Sequence, residues 1–497
     1  ISGGAFDRCT NLKKISIPDT IKNIDYGSSG GRETGSPFSY CSNIEEVAVY
    51  VANPNETYET RYTSVDGVLF EYSDTELKSS MIIRYFPAAK AGEYVLPDGV
   101  VTLPINVFKN TRITSITIPA SVSKIDNNVF EGCSKLVRIE FLDGEGLPIE
   151  LTELSFDGAA WVTELILPTR IENFNPAYFS YMSRLEKISF TDDNGEYRAV
   201  DGLVVNKAAD TIIYAPRTFS GENGVFTIPL GINKIADNAF ANPYKKTKTI
   251  TGYYGCKITK LIVPEYVTEI GENAFRGCSS IASIEFSGNG SPLGLKIAAR
   301  AFHNNTSLTQ LTLPENLVSL GKYAFGYCTN LTEVEVYATA SKPDETDSSV
   351  MLCTALETDA FRTDVAWDKD NTRKAYSVTR VTIGANVGVM DLGGVFGSAL
   401  QQVNIDPQNP NFTSDNGVVY SKNFSEILYF PYGKTGEFVL HEDVVTINSK
   451  VFMNASMLTK VTIGAKVTKI GDSAFGNCTS LKTVVFASSD EVADGHQ

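Results

Sequence analysis

The chain has 497 residues and a formal net charge of −15, because 43 lysines and arginines stand against 58 aspartates and glutamates. So acidic a chain repels nucleic-acid phosphates and anionic lipid headgroups, which excludes both as expected partners. Hydrophobic residues make up 42% of the sequence, enough for an extensive core, and no apolar run is long enough to predict a transmembrane segment.

Few residues of the types used in catalysis or metal binding are present. The sequence has three histidines, and its eight cysteines form no Cys-x-x-Cys pair. A histidine base, or a zinc site built from several His or Cys side chains, therefore has few possible positions. We expect no catalytic residue, no metal ligand and no cofactor-binding residue.

A repeated pattern begins in the first residues. The segment from Phe6 to Pro18 reads Phe-x-x-Cys-x-x-Leu-x-x-Ile-x-Ile-Pro, and closely similar segments start at Phe130, Phe325 and Phe475. A repeat of this kind predicts a stack of similar structural units. The anchor phenylalanines, with Tyr253 expected to replace one, are Phe6, Phe38, Phe108, Phe130, Phe156, Phe179, Phe240, Phe275, Phe302, Phe325, Phe361, Phe396, Phe452 and Phe475.

Each repeat predicts one short strand and one turn. The Leu-x-x-Ile-x-Ile segment alternates apolar and polar residues and is rich in β-branched side chains, which indicates a strand with one buried face. One unit of about 23 residues cannot bury its apolar face alone, so successive units must stack and their strands must form a parallel sheet. The rest of each unit predicts a turn with a short helical or 3₁₀ segment.

Three larger modules interrupt the repeat. Each contains Asp-Gly or Asn-Gly between alternating apolar residues, at Asp66, Asp201 and Asn416. This dipeptide is typical of type I′ hairpins, so we expect antiparallel excursions. The modules lie near 58–93, 197–224 and 412–436, and further turn-rich inserts lie at 26–36, 143–150, 241–252, 287–296, 338–355 and 367–377.

The repeat resembles the BspA-like class of leucine-rich repeats, whose units read Ala-Phe-x-x-Cys-x-x-Leu-x-x-Ile-x-Ile-Pro. The resemblance covers residues 1 to 486 apart from the inserts. It implies a β-rich α/β fold: one right-handed solenoid of about fifteen coils over residues 1–497, with a parallel sheet on one face and turns or short helices on the other. It also implies a bacterial secreted or cell-surface protein that acts in adhesion, without a catalytic constellation.

The strand alternation also predicts a surface for a partner. The middle residue of each Ile-x-Ile segment points away from the core, and this position is rich in hydroxyl and carboxylate side chains. We expect this face to bind a protein ligand, of a host or its extracellular matrix, or a glycan. Its residues are Ser16, Thr117, Glu140, Ser189, Glu285, Thr312, Glu335, Thr382, Asn404 and Thr462.

Three tyrosines occupy matching places in the hairpin modules, namely Tyr85, Tyr214 and Tyr429. Tyrosine is enriched among residues that dominate binding energy at protein interfaces, so these side chains are candidate aromatic anchors. The alternative is that they cover the apolar core of their own module. Both interpretations follow from the sequence.

The cysteines of the repeat are expected to be reduced. Side chains on neighbouring parallel strands lie about 4.8 Å apart, farther than the Cβ separation that a disulfide prefers. Other repeats carry Asn305, Ala399 or Ala455 at the cysteine position. This position therefore indicates a small buried slot, and Cys353 falls outside the series.

The resulting hypothesis is a non-catalytic cell-surface or secreted protein that binds other proteins. A right-handed β-helix enzyme that degrades polysaccharide is one alternative, because such folds repeat at a similar length. It lacks support from a cluster of acid and base residues. A structural spacer and a glycan-binding module are further alternatives.

The first residues resemble the second half of a repeat. The segment from Ile1 to Phe6 matches Ile-Gly-x-x-Ala-Phe, so the chain is expected to start inside a coil. Solenoids need end caps that cover the last stacked layer. We therefore expect the natural protein to extend upstream, with a secretion signal implied by the family resemblance.

Overall fold

The structure is a computed structural model that describes residues 1–25, 36–55, 61–73, 78–171, 174–191, 196–241, 243–245, 250–253, 255–287, 292–337, 341–343, 351–353, 356–357, 359–362, 376–388 and 391–487. The chain forms two compact units. The first comprises Ile1–Phe219 and Asn242–Tyr254, and the second comprises Ser220–Ala241 and Gly255–Gln497.

Short strands dominate both units. In the first half of the chain they are β1 Lys14–Pro18, β2 Glu46–Tyr50, β3 Tyr62–Val65, β4 Val68–Tyr72, β5 Met81–Tyr85, β6 Ala91–Val95, β7 Val100–Leu103, β8 Arg112–Ile118, β9 Lys124–Ile125, β10 Arg138–Phe141, β11 Glu164–Leu167, β12 Lys187–Phe190, β13 Tyr197–Val200, β14 Leu203–Asn206, β15 Thr211–Tyr214, β16 Val225–Thr227, β17 Lys234–Ile235, β18 Pro243–Lys245 and β19 Ile250–Tyr253.

The strands of the second half are β20 Lys260–Val263, β21 Glu269–Ile270, β22 Ser283–Phe286, β23 Leu295–Ile297, β24 Gln310–Leu313, β25 Leu317–Leu320, β26 Glu333–Val336, β27 Ser341–Pro343, β28 Met351–Cys353, β29 Arg380–Ile383, β30 Gln402–Ile405, β31 Phe412–Asp415, β32 Val418–Ser421, β33 Glu426–Tyr429, β34 Gly436–Val439, β35 Thr446–Ile447, β36 Leu458–Ile463, β37 Lys469–Ile470 and β38 Thr483–Phe486. Helix is confined, in the described residues, to α1 Leu392–Phe396 and two 3₁₀ turns, Pro176–Phe179 and Gly397–Ala399.

Each unit is a β-rich solenoid, as predicted. In the first unit β6, β8, β10, β11 and β12 form a parallel sheet, and in the second β24, β26, β29 and β30 do the same. Alternate residues of these strands are buried, as in β24, where Leu311 and Leu313 are buried and Gln310 and Thr312 are exposed. The Leu-x-x-Ile-x-Ile periodicity is the cause of this pattern.

A second parallel ladder follows the turn of each coil. In the second unit the short strands β17, β21, β23 and β25 pair side by side. The sequence predicted only a turn with helical character here, because a strand of two residues, such as β21, is too short to show a periodicity. The coils therefore have two β ladders and very little helix.

Successive anchor phenylalanines stack on one another in runs within each unit, from Phe108 to Phe179 in the first and from Phe240 to Phe396 in the second. In the second unit the ring centroids of Phe302, Phe325 and Phe361 are 5.0 and 5.7 Å apart along the stack. In the first unit Phe108 and Phe130 are separated by 5.6 Å. These rings are almost completely buried, so each coil contributes one aromatic layer to the core.

One anchor differs from the prediction. Tyr253 was expected to replace a phenylalanine in the coil that contains Cys256. Instead, Phe240 stacks directly on Phe275, with 4.5 Å between the ring centroids. The backbone N–H of Cys256 donates to the carbonyl of Phe240. The insert 241–252 thus separates Phe240 from the cysteine of its own turn, and Tyr253 belongs to strand β19.

The three hairpin modules are antiparallel, as expected. The turn residues Asp66 and Gly67 have φ values of 48° and 74°, and Asp201 and Asn416 have φ values of 49° and 48°. Positive φ at both central positions defines a type I′ turn. In each module the second and third strands share a register shift at the same place, beside Leu69, Val204 or Val419.

The other inserts differ from one another. Strands β18 and β19 form an antiparallel pair within 241–252, and β27 and β28 form another within 338–355. The loop 143–150 carries no regular strand, and its Asp143 accepts hydrogen bonds from Thr169 and Thr191. Residues 26–35, 288–291 and 367–375 of the remaining inserts lie outside the described residues.

No helix in the described part of the chain has the length and apolar character needed to cross a membrane. The boundaries predicted for one solenoid of about fifteen coils stay a prediction.

Candidate partner-binding face

All ten residues predicted to face a partner lie on the outward side of parallel strands. None is buried: Ser16, Glu285, Thr312 and Glu335 are exposed, and the others, Thr117, Glu140, Ser189, Thr382, Asn404 and Thr462, are half-buried. The strand alternation is the physical reason, since the residues on either side of each point into the core.

Strand pairing arranges these residues in columns within each unit. In the first unit Thr117 aligns with Glu140, which aligns with Ile166 and then Ser189. Such alignment places side chains of neighbouring strands about 5 Å apart. The first unit therefore presents a continuous outward column along the sheet.

The second unit carries a corresponding column. Thr312, Glu335, Thr382 and Asn404 align on β24, β26, β29 and β30. Thr312 donates to the Glu335 carboxylate at 2.9 Å. This column combines hydroxyl, carboxylate and amide groups.

The remaining predicted residues align with other partners. Glu285 aligns with Ile262 on β20, and Thr462 aligns with Val439 on β34. In the first unit Ser16 aligns with Ala48 on β2. These positions extend the outward face beyond the two columns.

A second outward column, two residues earlier on each strand, was not predicted. In the first unit Arg138 lies 2.9 Å from Glu164, and Lys187 lies 2.7 Å from the same carboxylate. In the second unit Arg380 lies 2.7 Å from Glu333. Charges of opposite sign alternate from strand to strand, so the carboxylates of this second column are paired with cations.

The ion pairs change the titration of their members. A hydrogen bond from Lys187 and the nearby Arg138 lower the pKa of Glu164 despite partial burial, which acts in the opposite direction. The hydrogen bond to Glu140 raises the pKa of Arg138. These groups therefore stay charged over the physiological pH range.

Two exposed valines add to the apolar residues of this face, which also include Ile166 and Ile262. Val95 on β6 and Val439 on β34 are 64% and 61% exposed, and they align with Thr117 and Thr462, respectively. Each follows a hairpin module in the sequence. An exposed valine beside hydroxyl groups provides a small apolar contact area within its own unit.

The structure corrects the prediction that the three tyrosines are anchors for a partner. Tyr85 is 2% exposed and Tyr214 is fully buried, so neither side chain reaches a surface where a partner binds. Tyr85 packs edge-on against Phe38, and Tyr214 packs against Phe179. Tyr429 is half-buried by surface area, but its hydroxyl is inaccessible, and burial raises the pKa of this side chain. The alternative interpretation, that these residues cover the core of their module, accounts for the contacts.

Among the described residues, no group of three or more His, Cys, Asp or Glu side chains converges as a metal site. His303 is stacked on Tyr327, and burial together with Arg276 and Arg300 lowers its pKa to about 3. A histidine with this pKa is a weak base at neutral pH.

The chain is similar to several proteins of known structure. A leucine-rich cell surface protein from Faecalibacterium prausnitzii is 16% identical, with 88% of this chain and 97% of that chain covered and a TM-score of 0.24. The pneumococcal vaccine antigen PcpA is 14% identical, with coverages of 86% and 99% and a TM-score of 0.38. A leucine-rich repeat protein from Bacteroides ovatus is 16% identical, with coverages of 85% and 93% and a TM-score of 0.40. None of the curated proteins matches the chain.

A family model settles the classification. The model of the BspA type leucine rich repeat region matches in six copies, over residues 1–48, 101–198, 249–366 and 422–494. These matches cover more than half of the chain and include the Phe-x-x-Cys turns and many of the outward strands described above, although β6, β29 and β30 lie outside them. The chain therefore belongs to the family of BspA-type leucine-rich repeat proteins.

Proposed function

We propose that this protein is a non-catalytic cell-surface or secreted protein that binds another protein through the outward face of its parallel strands. Membership of the BspA-type family supports binding as the general role. The leucine-rich repeat architecture favours this role over the alternative of a β-helix enzyme. The observation that carries the proposal is the alignment of polar side chains in continuous columns.

The column of the second unit supplies the chemistry for such binding. Thr312, Glu335, Thr382 and Asn404 provide hydrogen-bond donors and acceptors on adjacent strands. Electrostatic complementarity of this kind contributes to specificity and to the rate of association. The column has few apolar side chains, so the ligand surface expected is polar and partly basic.

The experiment is a charge reversal on this face. The folded chain is screened against an array of immobilised extracellular host proteins, and each hit is measured again with Glu335→Lys. We expect at least about a tenfold loss of affinity, which corresponds to about 1.4 kcal/mol. The matched control is Glu442→Lys, which makes the same charge change at an exposed residue outside the outward strands.

Unchanged binding in Glu335→Lys, or an equal loss of binding in the control, would contradict the proposed face. An array without any reproducible hit would favour the structural-spacer alternative. Catalytic turnover of a glycan, lost on substitution of a single carboxylate, would contradict the non-catalytic role.

A further inference from the structure

A polar groove lies beside the third hairpin module, within the second unit. Its volume is about 520 Å³, which falls in the range of small-molecule sites. Its walls come from β30, from the turn between β31 and β32, and from the segment before β34. The side chains that matter are Gln401, Gln402, Asn404, Ser414, Asn416 and Lys434.

The first hairpin module provides an internal comparison, because its backbone is attached in the same way. The N–H of Val403 donates to the Gly417 carbonyl at 3.0 Å, and that of Val47 donates to the Gly67 carbonyl at 2.8 Å. The strands β30 and β2 thus occupy matching positions beside their hairpins.

A lysine is also shared by the two modules. Lys434 donates to the backbone carbonyl of Asn416 at 2.6 Å, and Lys90 donates to that of Asp66 at 2.5 Å. Lys90 in addition forms an ion pair with the Asp66 carboxylate, with 3.1 Å between Nζ and Oδ2. Asn416 offers no carboxylate, so this ion pair has no counterpart in the third module.

On the neighbouring strand, too, the first module has acidic side chains where the third has amides. Gly67 packs against Glu46, and Gly417 packs in the same way against Gln402. Glu45 and Gln401, which precede these residues, also match, since the backbone N–H of each donates to a carbonyl of the previous coil. The three carboxylates of the first module are Glu45, Glu46 and Asp66, and the amides in their places are Gln401, Gln402 and Asn416.

The third module therefore retains the lysine but lacks the carboxylate that forms an ion pair with it in the first module. Lys434 is half-buried, and among the described residues no carboxylate oxygen lies within 4.0 Å of its ammonium group. Burial lowers the pKa of Lys434, while the more distant Asp415 acts in the opposite direction. A partly desolvated cation without a counter-ion is stabilised by an anion that enters the groove.

We infer that this groove binds an acidic saccharide, whose carboxylate contacts Lys434 and whose hydroxyl groups contact the surrounding amides. Side-chain amides both donate and accept hydrogen bonds, as sugar hydroxyls do. The lining offers no aromatic or large apolar side chain for a peptide anchor, so a sugar fits better than an acidic peptide. This site is separate in chemistry from the protein-binding role proposed above.

Binding is measured by titration calorimetry with two probes that carry a carboxylate on different sugars, digalacturonate and 3′-sialyllactose. The matched neutral probes are the methyl ester of digalacturonate and lactose. We expect the acidic probes, or one of them, to bind at least about tenfold more tightly than their neutral counterparts, and the stronger of the two identifies the uronate or sialate source. A short glutamate-containing peptide is the third arm.

Two variants test the site itself. Lys434→Met removes the cation, and Asn416→Asp installs the ion pair that the first module already contains, so the second variant keeps a fold present in this chain. Each is expected to weaken binding of the acidic sugar at least about tenfold. Lys422→Met is the control, since Lys422 donates to the Pro407 carbonyl from the same hairpin but does not line the groove.

The inference is wrong if no acidic sugar binds to the folded chain, if the neutral probes bind equally well, or if affinity survives both groove variants. Binding of the acidic peptide in place of the sugars would also overturn it. Asn404 belongs to both the groove and the outward column, but the protein-binding face is tested separately, by Glu335→Lys with protein ligands.

Discussion

The Cys328 thiol donates a hydrogen bond to the backbone carbonyl of Phe302 in the preceding coil, with 3.3 Å between sulfur and oxygen. Cys133 makes the same contact with Phe108 at 3.0 Å. At the same position of the neighbouring coil, the Asn305 side-chain amide donates to the Phe275 carbonyl of the preceding coil at 3.4 Å and to the Phe302 carbonyl of its own coil at 2.8 Å. The cysteine position is thus a donor position as well as a small buried slot, which explains why it also accepts asparagine.

Thiol reactivity should follow burial. We expect Cys9, which is exposed, to react rapidly with iodoacetamide at pH 8, while Cys328 reacts only on unfolding, because burial raises its pKa to about 12. Pulse labelling with peptide mass spectrometry measures both rates. Cys9→Ser should remove the fast-reacting site, and similar rates for Cys9 and Cys328 in the folded protein would contradict the prediction.

Loss of an anchor ring should be costly. Phe325→Ala removes a ring that is 1% exposed between two stacked neighbours, so we expect a loss of about 3–5 kcal/mol in the free energy of unfolding. Denaturant titration measures it. Leu230→Ala is the control, because this side chain is 87% exposed and its loss should cost less than about 0.5 kcal/mol. A loss below about 1 kcal/mol for Phe325→Ala would show that the coils do not depend on the aromatic stack.

The turn glycines should differ in their sensitivity. Gly202 has a φ of 80° and open space around the position of a Cβ. Gly202→Ala should therefore lower the free energy of unfolding only by the strain of an alanine in the left-handed conformation, about 1–2 kcal/mol. A Cβ at Gly417 would lie 3.1 Å from the Gln402 Cα, so Gly417→Ala should cost more. Amide exchange within each hairpin reports the local loss. Equal effects would mean that the strand beside the third module moves to accommodate the methyl group.

Acid should destabilise the second unit through His303. Burial lowers the pKa of His303 from 6.5 to about 3, so the unfolded state binds the proton more readily. Stability is therefore retained above pH 6.5 and lost as the pH falls toward 3, by at most about 1.4 kcal/mol per pH unit. Denaturant titrations at pH 7 and pH 5 test this, with His303→Phe expected to reduce the difference. An unchanged difference in the variant would assign the acid sensitivity to other groups.

Much of the fold was predictable because its determinants are local. Alternating side chains define the buried face of β24, and Asp-Gly requires the positive φ found at Asp66 and Gly67. Recurrence of a phenylalanine in every coil was enough to predict a stack of similar structural units. These features depend on periods and dipeptides that the sequence displays directly.

The candidate site was less predictable because it depends on pairing between coils. Arg380 and Glu333 form an ion pair across 47 positions of sequence, and an insert separates their strands. The exact register needed to find such a pair was not available from the repeat alone. The burial of Tyr214 was one of two interpretations that the sequence left open, since a hydroxyl suggests a surface while the module folds the ring inward.

The first and third hairpin modules are attached to their coils in the same way, and the residues that attach them are not the ones that would determine binding. Backbone hydrogen bonds to Gly67 and Gly417 fasten each hairpin to its coil, while the residues that differ, such as Asp66 and Asn416, face outward at the turn. A hairpin can therefore change its surface chemistry without disturbing the aromatic stack beneath it. The residues around the turn can thus be exchanged between the modules, which would transfer a binding preference onto the same scaffold.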